Sequence, residues 1–317
     1  METQPNILKN RDKASIDLVE QCFCTGALRE AVATAPEIPR RKNLDVEEFD
    51  HEFRKKAKPV VIEGLMEDWP AIGKWDFEYL SSKCSDSKVV LDSYDSKRAR
   101  EATFGEFVKL LKSQEPGSAP IYLQEWYYQA SCPFLSGDLV ELPIAQYDFR
   151  RNLYGEKIST NHQLWIGQKG AKTRLHQDSY LIDVMHAQIS GSKQWCVMSP
   201  NASLTRDAAG VLSFEGLIDN PEVQILTCTL QPGDVVYLPA LWWHRIVLLS
   251  DSIGLGRKCL DETNMREHLR MRLAELMALA LNHDEVKKAH PELYKVVVLR
   301  NLTWAKLLDI DLSKLRP

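Results

Sequence analysis

The feature that most constrains the fold is a series of short β-rich runs in the centre of the chain. Glycine, proline, asparagine or aspartate separates most runs from the next, as is typical of strands joined by tight turns. The runs are Ile121–Leu123, Gln163–Gly167, Val184–Ile189, Gln194–Met198, Val223–Leu230, Asp234–Leu238, His244–Leu249 and Ile253–Leu255. No long helical pattern interrupts them, which argues against a parallel α/β sheet. The pattern therefore predicts a mainly β fold with flanking helices, built as an antiparallel sandwich or barrel.

Helical and short extended patterns flank this β-rich centre. Before it, we predict helices over 16–32, 75–84 and 103–112, and short strands over 58–64 and 88–92. After it, apolar residues at helical spacing from Met265 to Ala280, and a second stretch over 292–308, predict two C-terminal helices. The sequence thus divides into an N-terminal helical and extended segment (1–57), a β domain (58–260) and C-terminal helices (261–317). The C-terminal helices are interpreted either as a lid or as a homodimerisation surface.

Charge and composition exclude several classes of protein. The 40 Lys and Arg residues are balanced by 44 Asp and Glu residues, for a net charge of −4. This balance argues against nucleic acid as a partner bound by bulk charge. No apolar run reaches the roughly 20 residues of a membrane span, and the first residues resemble no signal peptide. We therefore expect no membrane partner and a cytoplasmic location, with the nucleus open in a eukaryote.

The cysteines indicate the same compartment. There are seven, an odd number, and we expect reduced thiols and no disulfide framework. Cys22 and Cys24 form a single C-x-C pair, which without a second pair makes a poor zinc site.

A candidate metal centre begins with His176 and Asp178, an H-x-D pair that follows a β-rich run. Such a tripeptide is common by chance, and its residues can equally be ordinary polar residues at a strand end. His244 lies near the start of a later run, where a jelly-roll barrel could bring it to the same mouth. Two imidazoles and one carboxylate form the facial triad of non-haem Fe(II) oxygenases, which leaves positions open for ligands.

Six pieces of sequence around these residues carry a specific resemblance. They are Lys58–Gly64, Leu164–Gly167, Thr173–Asp178, Gln188–Lys193, Asp219–Pro221 and Gly233–His244. In this order they resemble the JmjC and cupin-like 2-oxoglutarate oxygenases, most closely the small JmjC hydroxylases. The resemblance runs from about Lys58 to Arg257. It implies a double-stranded β-helix, the iron ligands His176, Asp178 and His244, and Fe(II), 2-oxoglutarate and O₂ as cofactor and cosubstrates.

The resemblance also implies a binding site for 2-oxoglutarate. Thr173 matches a hydroxyl that bonds the distal carboxylate, Lys193 matches the lysine that pairs with it, and Tyr122 matches the phenol that completes the pocket. Arg257 is a competing anchor, because an arginine near this offset binds the carboxylate in other branches of the superfamily. Gln124, on the same strand face as Tyr122, matches a residue that touches the prime substrate.

The sequence departs from the relatives at two places. The segment between Asp178 and Gly191 is two residues longer, so we expect a shift or a bulge in the strand that carries Lys193. Val184 stands where many relatives carry an asparagine that helps to hold 2-oxoglutarate. His186 and His162 are interpreted as core or substrate-contacting residues and not as metal ligands.

The resulting hypothesis is an Fe(II)- and 2-oxoglutarate-dependent dioxygenase that hydroxylates a protein side chain or an amino-acid-like metabolite. Demethylation is less favoured, because the sequence has no reader domain, zinc finger or basic tail. A non-catalytic iron- and 2-oxoglutarate-binding sensor or scaffold is the main alternative, and a cupin that uses another metal is a further one. The sequence does not choose the substrate.

Overall fold

The computed structural model describes residues 26–93, 100–113, 117–149, 162–178, 180–202, 205–206, 212–213, 220–269, 272 and 288. Within these residues the architecture is two β-sheets that face each other, with helices packed on the outside of the larger sheet. None of the described helices combines the length and the apolar character that crossing a membrane requires.

The larger sheet has nine strands in the described part of the chain. In spatial order they are β1 (Arg40–Lys42), β2 (Val60–Glu63), β12 (Val235–Leu238), β7 (Asp183–Ser190), β14 (Ser252–Cys259), β6 (Gln163–Gly167), β5 (Ile121–Trp126), β3 (Lys88–Ser93) and β4 (Arg100–Thr103). Neighbours are antiparallel except β1 and β2, which are parallel. The sheet therefore extends well beyond β12, β7, β14 and β6.

The smaller sheet consists of β11 (Ile225–Leu230), β8 (Lys193–Met198) and β13 (Trp243–Leu248), all antiparallel. The segment 172–176 lies beside β13 as a fourth line, through bridges Lys172–Val247 and His176–His244. This layer covers β12, β7, β14 and β6 of the larger sheet, which is the arrangement of a jelly roll. A short hairpin, β9 (Thr205–Arg206) with β10 (Leu212–Ser213), is also present.

The mainly β fold predicted from the sequence is confirmed. Each of the eight β-rich runs contains an observed strand, because alternating side chains in those runs face either the barrel interior or the outer helices. On β7, for example, Met185 and Ala187 pack in the outer cluster while His186 faces inward. Strands β1 and β4 were not predicted, since both are short and rich in charged residues.

The helices are α1 (Gly26–Ala33), α2 (Val46–Glu48), α3 (Phe77–Cys84) and α4 (Phe104–Ser113). A π-helical stretch (Phe49–Arg54) continues α2, and 3₁₀ turns cover Tyr128–Ala130, Pro133–Asp138 and Pro143–Tyr147. Residues 265–269 are helical. The rest of the predicted C-terminal helices, the start of the predicted helix over 16–32, and the Cys22–Cys24 pair lie outside the described residues.

Two apolar clusters hold the layers together. The larger one fills the space between the big sheet and the helices, with Phe49, Trp75 and Phe104 among its fully buried members. The second lies between the two sheets and includes Trp195 and Leu248. Burial of this apolar surface is the main driving force that places the two sheets against each other.

The expectation that all cysteines are reduced thiols is wrong at one pair, because Cys84 and Cys132 form a disulfide. Cys84 ends α3, and Cys132 lies in the turn after β5, so the residues meet with their Cα atoms 6.2 Å apart. The pairing depends on tertiary packing across 48 residues of sequence, which no local pattern reveals. Among the described cysteines, Cys196, Cys228 and Cys259 are buried and lie outside this disulfide.

A buried charge network fastens the π-helical stretch to the end of the barrel. The Arg54 side chain is 2% exposed and pairs with Asp50, Asp261 and Glu262. Its guanidinium also lies 4.2 Å from the ring centre of Tyr147. These ion pairs connect the π-helical stretch to the residues that follow β14.

We expect Arg54→Met to lower the free energy of unfolding by about 3–5 kcal/mol, because it leaves the buried Asp261 carboxylate without its cation. Urea denaturation at pH 7 measures this loss. Lys55→Met is the matched control: Lys55 also contacts Asp50 but its side chain is 46% exposed, so its removal should cost about 1 kcal/mol or less. Equal effects of the two substitutions would contradict the role assigned to Arg54.

Candidate metal centre and its pocket

The three predicted metal ligands meet at one mouth of the barrel. His176 ends the segment that lies beside β13, and His244 is the second residue of β13. The two residues exchange backbone hydrogen bonds of 3.0 and 2.8 Å, and their rings lie 4.1 Å apart between centroids. The antiparallel pairing thus places both imidazoles side by side, and Asp178 follows two residues after His176.

The imidazoles present the same nitrogen to the candidate site. His176 Nδ1 lies 2.7 Å from the Arg174 carbonyl oxygen, and His244 Nδ1 lies 3.2 Å from the Trp242 carbonyl oxygen. A carbonyl oxygen only accepts, so each Nδ1 carries the hydrogen and each Nε2 keeps its lone pair. The Nε2 atoms of His176 and His244 are 3.6 and 3.9 Å from Asp178 Oδ1.

The ionisation states suit a divalent cation. Burial lowers the pKa of His244 to about 4, so this ring is neutral at pH 7. Burial alone would raise the pKa of Asp178, but the His244 and Lys258 side chains outweigh it and hold that pKa below its ordinary value. Neutral imidazoles and an ionised carboxylate are the forms that bind metal. One potential ligand atom from each of His176, Asp178 and His244 can be chosen so that the three atoms lie within 4.8 Å of one another.

These ligands line a pocket between the two sheets. Its wall is formed by Gln163, Trp165, Thr173, His176, Asp178, Val184, His186, Trp195, His244, Ile246, Gly256, Arg257 and Lys258. Trp195 stacks on the His244 ring with centroids 5.9 Å apart. The wall therefore combines the polar residues of the candidate metal centre and its surroundings with two tryptophans and two aliphatic residues.

Lys193 lies behind two residues of the pocket wall, Trp165 and His186. Its side chain is fully buried, and no ion pair to it is found in the described part of the chain. Nζ contacts His186 Nε2 at 3.3 Å and the Trp165 carbonyl oxygen at 3.4 Å. Burial lowers the pKa of Lys193 to about 7. A buried ammonium without a carboxylate is costly, and an anionic ligand would relieve that cost.

Two hydroxyl groups predicted to share this end of the pocket are close by. The Tyr122 hydroxyl is buried and has no hydrogen-bond partner among the residues that the structure describes, and the Lys193 ammonium lies 5.7 Å from the Tyr122 ring centre. Thr173 Oγ1 accepts the Ile246 N–H at 3.0 Å, which leaves its own hydrogen available to a ligand. A buried ammonium with two hydroxyl donors is a suitable set for a carboxylate.

Arg257, the competing anchor, contributes to the pocket wall, but carboxylates hold its guanidinium. On β14, Leu255 and Cys259 pack in the outer cluster, and by alternation the Arg257 side chain starts on the same side, whereas Gly254, Gly256 and Lys258 lie toward the barrel interior. The Arg257 guanidinium pairs with Glu141 and lies 3.5 Å from Asp148. Its charge is therefore already compensated by carboxylates outside the barrel.

Gln124 lies where β5 loses its regular pairing. The register with β6 shifts between Leu123 and Trp126, and Glu125 adopts a φ of 53°. This bulge directs Glu125 Oε1 to within 3.1 Å of Lys258 Nζ at the pocket wall. Gln124 itself is half-buried, and no contact with the metal ligands is among its described interactions.

The longer segment after Asp178 leaves the Lys193 strand undisturbed. Strand β8 pairs without interruption with both β11 and β13. The irregularity is instead in β7, where Ser190 pairs with Ile253 and Gln188 pairs with Gly254, so Ile189 is a bulge. Tyr180 and Leu181 also adopt positive φ in the loop before β7.

The sequence interpretation missed two parts of this site. Lys258 lines the pocket beside the metal ligands, and the direct contact between His186 and Lys193 joins β7 to β8 across the barrel. The sequence does contain a signal for Lys258. Gly254 and Gly256 lie at alternate positions of one strand and mark a face crowded by other side chains, and Lys258 is the next residue on that face. His186, as expected, is not in the cluster of metal ligands.

Comparison with known protein families agrees with this geometry. The sequence model for the cupin-like domain matches residues 46–205, and that for the JmjC domain matches residues 149–265. The first match covers half of the chain, and the second includes all three candidate metal ligands. The chain belongs to the cupin-like family and carries a JmjC domain.

Individual relatives are distant but numerous. The chain is 25% identical over 81% of its length to the arginine-specific demethylase JMJ22 of Arabidopsis thaliana, covering 54% of that protein. It is 23% identical over 74% of its length to the Drosophila melanogaster homologue of the 2-oxoglutarate and iron-dependent oxygenase JMJD4, covering 68% of it. The bifunctional arginine demethylase and lysyl-hydroxylase psr-1 of Caenorhabditis briggsae is 23% identical over 66% of this chain, which covers 58% of psr-1. The chain spans about half the length of the curated relatives it matches.

Proposed function

We propose that this protein is an Fe(II)- and 2-oxoglutarate-dependent oxygenase built on a double-stranded β-helix. The observation that carries the proposal is the pairing of two features in one barrel: a His–Asp–His cluster, and a buried ammonium with no described carboxylate partner. The first suits a divalent metal with open positions, and the second suits the distal carboxylate of a dicarboxylic acid. The relatives named as 2-oxoglutarate and iron-dependent oxygenases support the same conclusion.

The proposal assigns each residue a role. His176 and His244 bind the metal through Nε2, and Asp178 binds it through its carboxylate. Lys193, Thr173 and Tyr122 bind the distal carboxylate of 2-oxoglutarate. Arg257 is the weaker candidate for that role, because Glu141 and Asp148 already compensate its charge.

The chemistry divides between the bound groups and the chain. When bound, Fe(II), 2-oxoglutarate and O₂ supply an oxidant for an unactivated C–H bond, and 2-oxoglutarate is converted to succinate. The chain contributes fixed positions for these groups. The carbonyl oxygens that hold the two Nδ1 hydrogens orient the imidazoles, and the stacked Trp195 ring helps to exclude water. No side-chain acid or base is needed in this assignment.

The substrate we propose is a side chain of another protein or an amino-acid-like metabolite. The names of the relatives refer to arginine and lysine residues, for demethylation and for hydroxylation alike. We favour hydroxylation, with Gln124 as a contact to the substrate. The same proposal includes domain boundaries at residues 57 and 260. It also includes a homodimer formed through residues 261–317, which light scattering of the full chain tests.

A cytoplasmic location is part of the proposal as well. The Cys84–Cys132 disulfide argues the other way, because disulfides are rare in reducing compartments. Immunolocalisation in the source cells decides between them.

We expect the purified protein, given Fe(II), ascorbate, 2-oxoglutarate and air, to form succinate slowly without added substrate. His176→Ala should abolish this turnover, and His51→Ala, at an exposed histidine outside the pocket, should leave it unchanged. Succinate is measured by NMR. If none forms, calorimetry with Mn(II) and N-oxalylglycine, an unreactive mimic of 2-oxoglutarate, follows. Failure to bind either would refute the proposal, whereas binding without turnover would favour the sensor or scaffold.

A further inference from the structure

The contact between His186 and Lys193 joins the two sheets at the deeper end of the pocket. His186 reaches inward from β7 of the larger sheet, and Lys193 reaches inward from β8 of the smaller one. Both side chains are fully buried, and the nitrogen atoms are 3.3 Å apart. The His186 ring also packs edge-on against Trp195, with centroids 5.3 Å apart, and this contact limits its rotation.

The direction of the hydrogen bond follows from the chemistry of the two groups. In its protonated form Lys193 can only donate, so His186 Nε2 then accepts. Burial, and the nearby charge of Lys193, lower the pKa of His186 well below its ordinary value, so the ring is neutral and keeps a lone pair for this purpose. The Trp165 carbonyl oxygen, at 3.4 Å, is a second acceptor for the same ammonium. With two of its N–H groups directed at the His186 ring and the Trp165 carbonyl oxygen, the ammonium keeps a third N–H for a ligand.

Gly254 provides the space for this contact. A Cβ atom on residue 254 would lie 2.3 Å from His186 Nε2 and 2.7 Å from Lys193 Nζ. Both distances are far below van der Waals contact. The absence of a side chain on β14 at this register therefore lets the imidazole and the ammonium meet. Three strands, β7, β8 and β14, each supply one residue to the arrangement.

We propose that His186 is a positioning residue for 2-oxoglutarate: its Nε2 accepts a hydrogen bond from Lys193 and thereby orients the ammonium toward the distal carboxylate. This inference rests on the function proposed above. His186 acts through Lys193 and has no role in metal binding.

The test compares two ligands on the wild type and on single-residue variants of the full chain, each loaded with Mn(II). The ligands are 2-oxoglutarate and 2-oxopentanoate, which has the same chain length and 2-oxo acid but no distal carboxylate. His186→Gln retains an acceptor near the position of Nε2, and His186→Phe retains a flat ring without an acceptor. His51→Phe, at an exposed histidine outside the pocket, is the matched control. Calorimetry measures each dissociation constant, and thermal melting reports on folding.

We expect His186→Phe to weaken 2-oxoglutarate binding about tenfold or more, the range for a hydrogen bond to a charged group. His186→Gln should restore binding to within about threefold of the wild type, a margin below 1 kcal/mol. Binding of 2-oxopentanoate and of Mn(II) should not change in any form. Gly254→Ala is a second variant that displaces the contact while keeping the imidazole, and it should weaken 2-oxoglutarate binding similarly.

The outcomes separate this inference from the proposed function. If the wild type binds 2-oxoglutarate and His186→Phe binds it equally well, the inference is wrong and the proposed function stands. If His186→Phe weakens both ligands equally, the ring only shapes the pocket, and the inference is again wrong. If the wild type binds Mn(II) but not 2-oxoglutarate, both fail.

Discussion

Replacing Lys193 by methionine should weaken 2-oxoglutarate binding at least 100-fold and stabilise the ligand-free protein at the same time. The lysine is fully buried without a described ion-pair partner, so in the absence of ligand its charge opposes folding. In the complex the same charge would be the counterion of a buried carboxylate, and its removal would leave that carboxylate uncompensated. Methionine fills a similar volume without charge. The melting temperature without ligand and the dissociation constant for 2-oxoglutarate check the two effects.

The pH dependence of stability adds a second measurement on the same pair of proteins. In the folded protein the pKa of Lys193 is lowered to about 7 from an ordinary value of 10.5. Between these two values the unfolded chain binds one proton more than the folded chain does at this residue, so wild-type stability should rise with pH through this window. Lys193→Met should lack that contribution. Lys169→Met, at an exposed lysine, is the control. A methionine variant that is less stable than the wild type at pH 7 would contradict the assignment.

His176→Ala should lower the affinity for Fe(II) or Mn(II) at least 100-fold and abolish succinate formation without unfolding the protein. Removing a residue that only hydrogen-bonds to a metal ligand typically lowers metal affinity 10–100-fold, so removing a ligand itself should lower it further. His176 is the informative ligand to remove because its side chain is 38% exposed. His244 is 5% exposed and stacks on Trp195, so its removal would also disturb the core.

Calorimetric titration with Mn(II) under nitrogen measures the affinity, and circular dichroism confirms the fold. His51→Ala controls for the loss of a histidine elsewhere. The assignment of the metal centre would be wrong if His176→Ala bound Mn(II) as tightly as the wild type does.

Much of the fold could be predicted because it depends on local patterns. Strands such as Gln163–Gly167 have the alternation and the flanking turn residues that mark a strand in isolation, and the observed bounds agree with the prediction. That His176, Asp178 and His244 lie together could also be expected from sequence, because His176 and Asp178 are two residues apart and His244 lies in a recognisable motif. The structure brings the three side chains together, and their role as metal ligands stays a prediction.

Other features depend on register and long-range packing, which a single sequence does not display. The direction of the Arg257 side chain depends on the register of β14. A bulge at Ile189 of the neighbouring strand β7 shifts that register by one residue. The contact of Glu125 with Lys258 depends on a bulge in β5. The Cys84–Cys132 disulfide and the contact of His186 with Lys193 each join segments that only the tertiary fold brings together.

The division of the pocket between the two sheets has a consequence for stability. His176, His244 and Lys193 belong to the smaller sheet or the segment beside it, whereas His186, Gly254 and Lys258 belong to the larger one. A molecule bound between these groups contacts both sheets at once, so its binding free energy also opposes their separation. The supply of such a molecule would then set how long the folded chain survives, as well as how fast it works.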